Sequence, residues 1–148
     1  MKLSTKSRYA VTAIVDLAQN QGNSVSLKDI SNRQSISLSY LEQIFCKLKN
    51  SGVVTSQRGP GGGYFLGKET NNISLYEIIT AVDEKIDQTQ CGGNMNCKKD
   101  KPCNTHHVWT GLNNIINDYM KNITIRDVIT KKLILNLNDA KESDNHVS

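Results

Sequence analysis

Cys91, Cys97, Cys103 and His106 follow the pattern C-x5-C-x5-C-x2-H inside sixteen residues. Three thiols and an imidazole are soft or borderline ligands, the types that hold an iron-sulfur cluster or a transition metal. The residues between them, Gly92 to Asn96 and Lys98 to Pro102, are glycine, asparagine, lysine, aspartate, proline and one methionine. Almost nothing there can be buried, so the cysteines are not explained as small core hydrophobes, and a loop this polar must be held by something other than packing. A cluster or metal centre is the leading reading, and on spacing alone two others stay open. A Cys3His zinc site would staple the loop or belong to an RNA-binding module, although the loop has no aromatic side chain on which a base could stack. A thiol redox switch needs no metal. His107 directly follows His106; neighbouring helical residues point about 100 degrees apart, so one of the two is expected to reach the centre. Cys46 stands apart from the loop, and His146 falls in a polar tail as a solvated residue.

A second constellation lies in the first half. Ser39, Tyr40, Glu42 and Gln43 fall on the exposed early turns of a predicted helix, where recognition helices place their groups in the major groove. Gln pairs bidentately with adenine, Glu accepts from cytosine N4, and Ser or Tyr reach phosphates or base edges. Further along, Arg58, Gly59 and Gly61 belong to the run Gln57-Arg58-Gly59-Pro60-Gly61-Gly62-Gly63. Glycines let a backbone come close to a phosphate, and an arginine beside them can contact a narrow minor groove. The blander reading is a turn that needs positive φ angles. Gly62-x4-Gly67-Lys68 resembles a phosphate-binding loop, but Glu69 stands where Ser or Thr is required and the glycines precede a strand, so an NTPase is not expected.

The elements that must position these groups are read from periodicity and caps. Ala10, Ala13, Ile14, Leu17 and Ala18 make one apolar stripe on a helix from Ser7 to Asn20, closed by Gly22. Ser26 opens a short helix ending near Arg33, with Asp29 in the capping-box position and Leu27 and Ile30 facing inward. Ser37 is the expected N-cap of a third helix, whose inward residues are Leu38, Leu41, Ile44, Phe45 and Leu48 and whose stop is Gly52. Two helices across a turn of three or four residues make a helix-turn-helix. Val53 to Ser56 and Tyr64 to Leu66 read as the strands of a hairpin with the glycine run at its tip. Ser74 with Glu77 predicts a capped helix carrying Leu75, Ile78, Ile79 and Val82 toward the cysteine loop. After the loop, Trp109, Leu112, Ile115, Ile116, Tyr119 and Met120 form a wide apolar stripe on an otherwise polar helix. The small core being already filled, that stripe is expected to meet the matching helix of a second copy in an isologous contact; the alternative is packing on the first helix of the same chain. Thr124 to Asp127 starts a further short helix, and from Asn136 the tail is polar and expected to be disordered.

The expected fold is therefore mainly α with a small β wing. A winged helix-turn-helix DNA-binding domain spans 1–70, a linking helix 71–90, the cluster-binding loop 91–106, a dimerisation helix with a short C-terminal helix 107–135, and the tail 136–148. A chain of 148 residues supports a modest core and leaves dimerisation plausible from the start. The net charge of +4 is uneven: through residue 70 nine Lys or Arg stand against four Asp or Glu, and beyond it nine stand against ten. The basic surface thus coincides with the DNA-reading motif. No stretch approaches the roughly eighteen apolar residues that a membrane span needs, and no signal-peptide core is present. A cytoplasmic protein without a membrane partner is expected, and in that reducing compartment clustered thiols serve as ligands rather than disulfides. No paired carboxylates, nucleophile elbow or His-activated serine can be placed, so no enzyme is expected.

The opening Met1-Lys2-Leu3-Ser4-Thr5-Lys6-Ser7-Arg8-Tyr9-Ala10-Val11, the stretch from Ile36 to Gln43, the wing from Arg58 to Tyr64 and the cysteine pattern ending Cys103-Asn104-Thr105-His106 resemble the IscR family of iron-sulfur cluster regulators. The resemblance runs through about residue 130. It implies a homodimeric winged-helix transcription factor that holds a 2Fe-2S cluster, controls iron-sulfur cluster biogenesis genes and reads imperfectly palindromic double-stranded DNA. It also implies the iron-sulfur cluster assembly machinery as cluster donor. Carried over by position, Cys91, Cys97, Cys103 and His106 would be the cluster ligands, and Ser39, Glu42, Gln43 and Arg58 would touch DNA. The acid at Glu42 would help distinguish the promoter classes read by cluster-bound and cluster-free protein. A nitric-oxide-sensing relative of the same family uses an acidic residue near the N-terminus to hold a larger cluster; that region offers Arg8 here, which argues against it.

Overall fold

The computed structural model describes residues 3–82, 84, 85, 87, 94–96, 98, 99 and 101–131. Cys91, Cys97, the later tail and its His146 lie outside the described residues. The first helix, α1 (Thr5–Gln19), starts two residues earlier than periodicity suggests because the Ser4 hydroxyl caps it, accepting from the Ser7 N–H at 3.2 Å. Its stripe of Ala10, Ala13, Ile14, Leu17 and Ala18 is buried as expected, together with Ser7 and Asp16.

Helices α2 (Leu27–Gln34) and α3 (Leu38–Asn50) form the helix-turn-helix. Ser35 adopts a left-handed conformation at φ 55, Ile36 is buried as a plug, and the Ser31 hydroxyl donates to the Ile36 carbonyl at 2.5 Å. Helix α2 is also tied to α1 through charge. Asp16, only 2 % exposed, accepts two hydrogen bonds from Arg33 at 3.0 and 2.7 Å and one from Gln34 at 2.7 Å. Burial by itself would raise the Asp16 carboxyl above its ordinary value of 3.8, but the donors from Arg33 and Gln34 outweigh it and hold the group lower. Leu38 departs from expectation. It sits in the first helical position, before the core closes around α3, and is 41 % exposed.

Strands β1 (Val54–Gln57) and β2 (Gly63–Leu66) pair antiparallel, Val54 opposite Leu66 and Gln57 opposite Gly63. The hairpin is shifted by one residue from the expected Val53 to Ser56. Val53 instead donates its N–H to Leu48 at 3.0 Å and closes the end of α3. Val25 pairs both ways with Tyr64, at 3.0 and 2.8 Å, so the loop before α2 lies against β2. Gly63 is required by that approach rather than by its φ: a Cβ there would stand 2.5 Å from the Val25 carbonyl oxygen.

Helices α4 (Leu75–Ala81) and α6 (Ile125–Thr130) complete the same core, in which Ile14, Phe45, Ile73, Ile78 and Ile125 are fully buried. The chain leading into α4 is bonded to the one leading into α6, Leu75 N–H to Ile123 and Ile125 N–H to Ile73, both at 2.9 Å. At Ser74 only half of the expected capping box forms, because the Glu77 carboxylate turns to Lys68 instead. Ser26 likewise caps the Asp29 N–H at 3.1 Å. The box at Thr124 and Asp127 is reciprocal. Between these elements runs α5 (His106–Asn122), which leans chiefly on α4, with the Lys121 ammonium 4.7 Å from the Tyr76 ring centre. None of its residues is buried.

Candidate nucleic-acid interface and metal centre

On α3 the fold separates two faces. Leu41, Ile44, Phe45 and Leu48 are buried, while Ser39, Glu42 and Gln43 are exposed on the opposite side. The Ser37 hydroxyl caps the helix by accepting from the Tyr40 N–H at 3.2 Å. Tyr40 differs from the other three early residues. It is half-buried, its ring edge-on to Tyr9 at 5.6 Å, so it joins α3 to α1 rather than standing free beside Glu42. The polar positions lie where a helix end would meet base edges and phosphates.

The tip between β1 and β2 is exposed from Arg58 to Gly61. Gly59 and Gly61 carry φ of 101 and 74, and no atom lies within 4 Å of where a Cβ would project at either. The turn therefore needs these glycines for its conformation, and it leaves their backbone open to an approaching phosphate. The Ser24 hydroxyl donates to the Gly61 carbonyl at 2.5 Å and fixes the tip against the loop before α2. Arg58 and the exposed groups of α3 thus belong to one rigid winged unit.

At the start of α5 two of the four candidate ligands flank a single backbone turn. Cys103 and His106 are both half-buried, and the His106 N–H donates to the Cys103 carbonyl at 3.1 Å. His107 is exposed. The Cys103 sulfur lies 3.7 Å from the Thr105 hydroxyl, which also accepts from the indole N–H of Trp109 at 3.1 Å. No three of His, Cys, Asp and Glu gather to hold a metal ion among the described residues, which include neither Cys91 nor Cys97. The donor set itself suits a cluster: thiolates and an imidazole on a polar segment at a helix start. Cys46, the other described cysteine, is exposed on α3.

One contact was invisible to sequence reasoning. Glu84, on the segment leading from α4 toward the cysteine loop, accepts from the Ser4 N–H at 2.9 Å, from the Ser4 hydroxyl at 2.7 Å and from the Ser7 hydroxyl. Helix α1 has no acid in its own first turn. A carboxylate from eighty residues away occupies that position and interacts favourably with the helix dipole. No local pattern carries such a pairing; a lone Glu after a helix gave no signal.

Comparison with known proteins places this arrangement among transcriptional regulators. The profile of the Rrf2 family, described as iron-dependent transcriptional regulator, matches residues 3–131. The HTH-type transcriptional regulator IscR of Pectobacterium atrosepticum is 48 % identical over 145 residues, covering 97 % of this chain and 88 % of that protein. IscR of Vibrio parahaemolyticus is 48 % identical over 143 residues, covering 96 % and 85 %. Among solved structures, T. potens IscR superposes with a TM-score of 0.70 at 35 % identity, covering 97 % of this chain and 90 % of that one. CymR, the global cysteine regulator of B. subtilis, gives 0.77 at 30 % identity, covering 88 % and 98 %. A regulator named for cysteine shares the fold as closely as one named IscR, so the winged frame alone does not decide what the cysteine loop holds. No helix among the described residues is long and apolar enough to cross a membrane.

Proposed function

The chain belongs to the Rrf2 family and is a transcriptional regulator of the IscR type, and from that premise we propose that it senses iron-sulfur status. The ligands are Cys91, Cys97, Cys103 and His106, and cluster occupancy selects which promoters are bound. The observation that supports this reading is the half-buried setting of Cys103 and His106 across one backbone turn at the start of α5, in a loop too polar to need its cysteines for packing. When bound, a 2Fe-2S cluster supplies a one-electron couple and a centre that orders the loop. The protein's part is to present three thiolates and a neutral imidazole and to bias the fourth position toward His106, since His107 points to solvent.

The path from loop to DNA runs through Glu84. An ordered loop constrains the segment on which Glu84 sits; Glu84 holds Ser4 and Ser7 at the start of α1, and Tyr9, next on α1, packs edge-on against Tyr40 of α3. A change in the loop thereby biases the setting of the recognition helix. Glu42 converts that bias into selection. A carboxylate accepts from cytosine N4 but has no proton to give to a phosphate or an acceptor-only base edge, so it excludes sequences as well as selecting them.

The protein acts as a homodimer in the cytoplasm, with the α5 stripes in mutual contact. Its two recognition helices then enter successive major grooves about 34 Å apart, on an imperfect palindrome. The iron-sulfur cluster assembly machinery supplies the cluster. Purification without oxygen tests the reading. A red-brown protein with iron and sulfide in equal amounts, bleached in Cys97→Ala without loss of helical content, supports it; a colourless zinc-loaded protein refutes it. For promoter choice, Glu42→Ala should let cluster-free protein bind the operator class otherwise reserved for the cluster-bound form.

A further inference from the structure

Thr105 is the N-cap of α5, yet its hydroxyl does no capping. A threonine in that place normally has extended backbone and accepts from the second or third helical N–H. Here φ is -112 and ψ is 7, with no side-chain cap bond. The hydroxyl is turned instead between two side chains, the Cys103 sulfur at 3.7 Å and the Trp109 indole nitrogen at 3.1 Å. The chemistry of the groups sets the direction of one bond outright and of the other once Cys103 is a thiolate. An indole N–H only donates, so the Thr105 oxygen must accept from Trp109. A ligating thiolate has no proton to give, so toward Cys103 in that form the hydroxyl's one proton is the donor. Trp109 is itself 41 % exposed and belongs to the apolar stripe of α5.

We propose that Thr105 is a positioning residue that donates a fixed hydrogen bond to the Cys103 thiolate, aimed by Trp109, and so raises the reduction potential of the centre Cys103 helps to hold. The proposal rests on the cluster reading above. A hydrogen bond to a ligating sulfur withdraws negative charge from it and favours the reduced, more negative state, which is how outer groups tune such centres. Because Trp109 lies on the face a second copy would cover, the same bond connects the dimer contact with the sulfur.

The test uses the full chain prepared without oxygen, as unmodified protein, Thr105→Val, Thr105→Ser and Trp109→Phe. Iron, sulfide and visible absorption are measured first, then the midpoint potential, then the emission of the cluster-free form, in which Trp109 is the single tryptophan. Thr105→Val should keep the cluster, because no cap is lost, and should disfavour reduction about tenfold, ~59 mV for one electron. Thr105→Ser should restore the potential, and Trp109→Phe should shift it in the same direction as Thr105→Val but less. Emission should move in Thr105→Val and return in Thr105→Ser. An unchanged potential, or unchanged emission, in Thr105→Val overturns the proposal while leaving a coloured unmodified protein as support for the cluster. A colourless unmodified protein ends the cluster reading and this proposal with it.

Discussion

Helix α1 buries seven of its fifteen residues, whereas α5, two residues longer, buries none. Both carry an apolar stripe at helical spacing, and the stripes look alike as sequence. The stripe of α1 is filled by α2, α3, α4 and α6 of its own chain; that of α5 leans on α4 and leaves Ile115 69 % and Tyr119 42 % exposed. Periodicity identifies a face and says nothing of what covers it. The winged half covers its stripe within one chain, whereas the stripe of α5 stays open among the described residues.

The sharpest way to break this contrast is to remove bulk from each half. Phe45→Ala, at a fully buried ring 4.9 Å from Tyr64, should cost about 3–5 kcal/mol in urea unfolding. Next in size is the charge pair beneath the helix-turn-helix. Arg33→Ala removes two of the three donors to the buried Asp16 carboxylate, leaving Gln34, and should lower the urea midpoint by less than Phe45→Ala does. The pair also predicts a pH dependence. Since Asp16 is held below 3.8 in the folded protein, its contribution is complete above that value and is lost as pH falls through the lowered folded value. Stability measured against pH should therefore drop on the acid side, and Asp16→Asn should flatten that limb. If it does not, the carboxylate is not ionised in the fold.

On α5, given the dimer proposed above, the expected loss is of association rather than of folding. Ile115→Asp should weaken the dimer at least tenfold, about 1.4 kcal/mol, with helical content retained, as read by sedimentation across concentrations. Equal destabilisation of a monomeric form would mean that α5 packs on its own chain after all. The smallest effect concerns the wing. Arg58→Ala should reduce the log-log salt slope of operator binding by about one for each phosphate the arginine neutralises, about two for a dimer. An unchanged slope would place the tip away from DNA.

The winged half was largely legible because its signals are local. Ser26, Ser37 and Ser74 cap the helices they were read to cap, and Gly52 follows α3. The misses have physical causes. Ser4 gives no cap signal in the sequence, because no apolar residue of the α1 stripe stands beside it. The strand register slipped at Val53, whose β-branched side chain suits a strand but whose N–H is taken by the end of α3. Spacing alone points Leu38 inward, although a first helical position lies at the margin of the core. For the candidate centre, spacing showed the donor types, but not that Thr105 would turn its hydroxyl from the helix to the Cys103 sulfur. Glu84 was beyond reach, since its partners lie eighty residues earlier.

The division of α3 into a buried and an open face has a consequence for descent. Ser39, Glu42 and Gln43 are exposed, so exchanges there should alter folding stability by no more than about 0.5 kcal/mol. With the DNA-reading role proposed above for these residues, a duplicated copy of this gene would acquire a new set of target promoters by changing three codons, with the frame that carries them inherited intact. Tyr40 lies outside that freedom. Bound to Tyr9, it is the position at which drift in the reading surface would begin to disturb the helix beneath it.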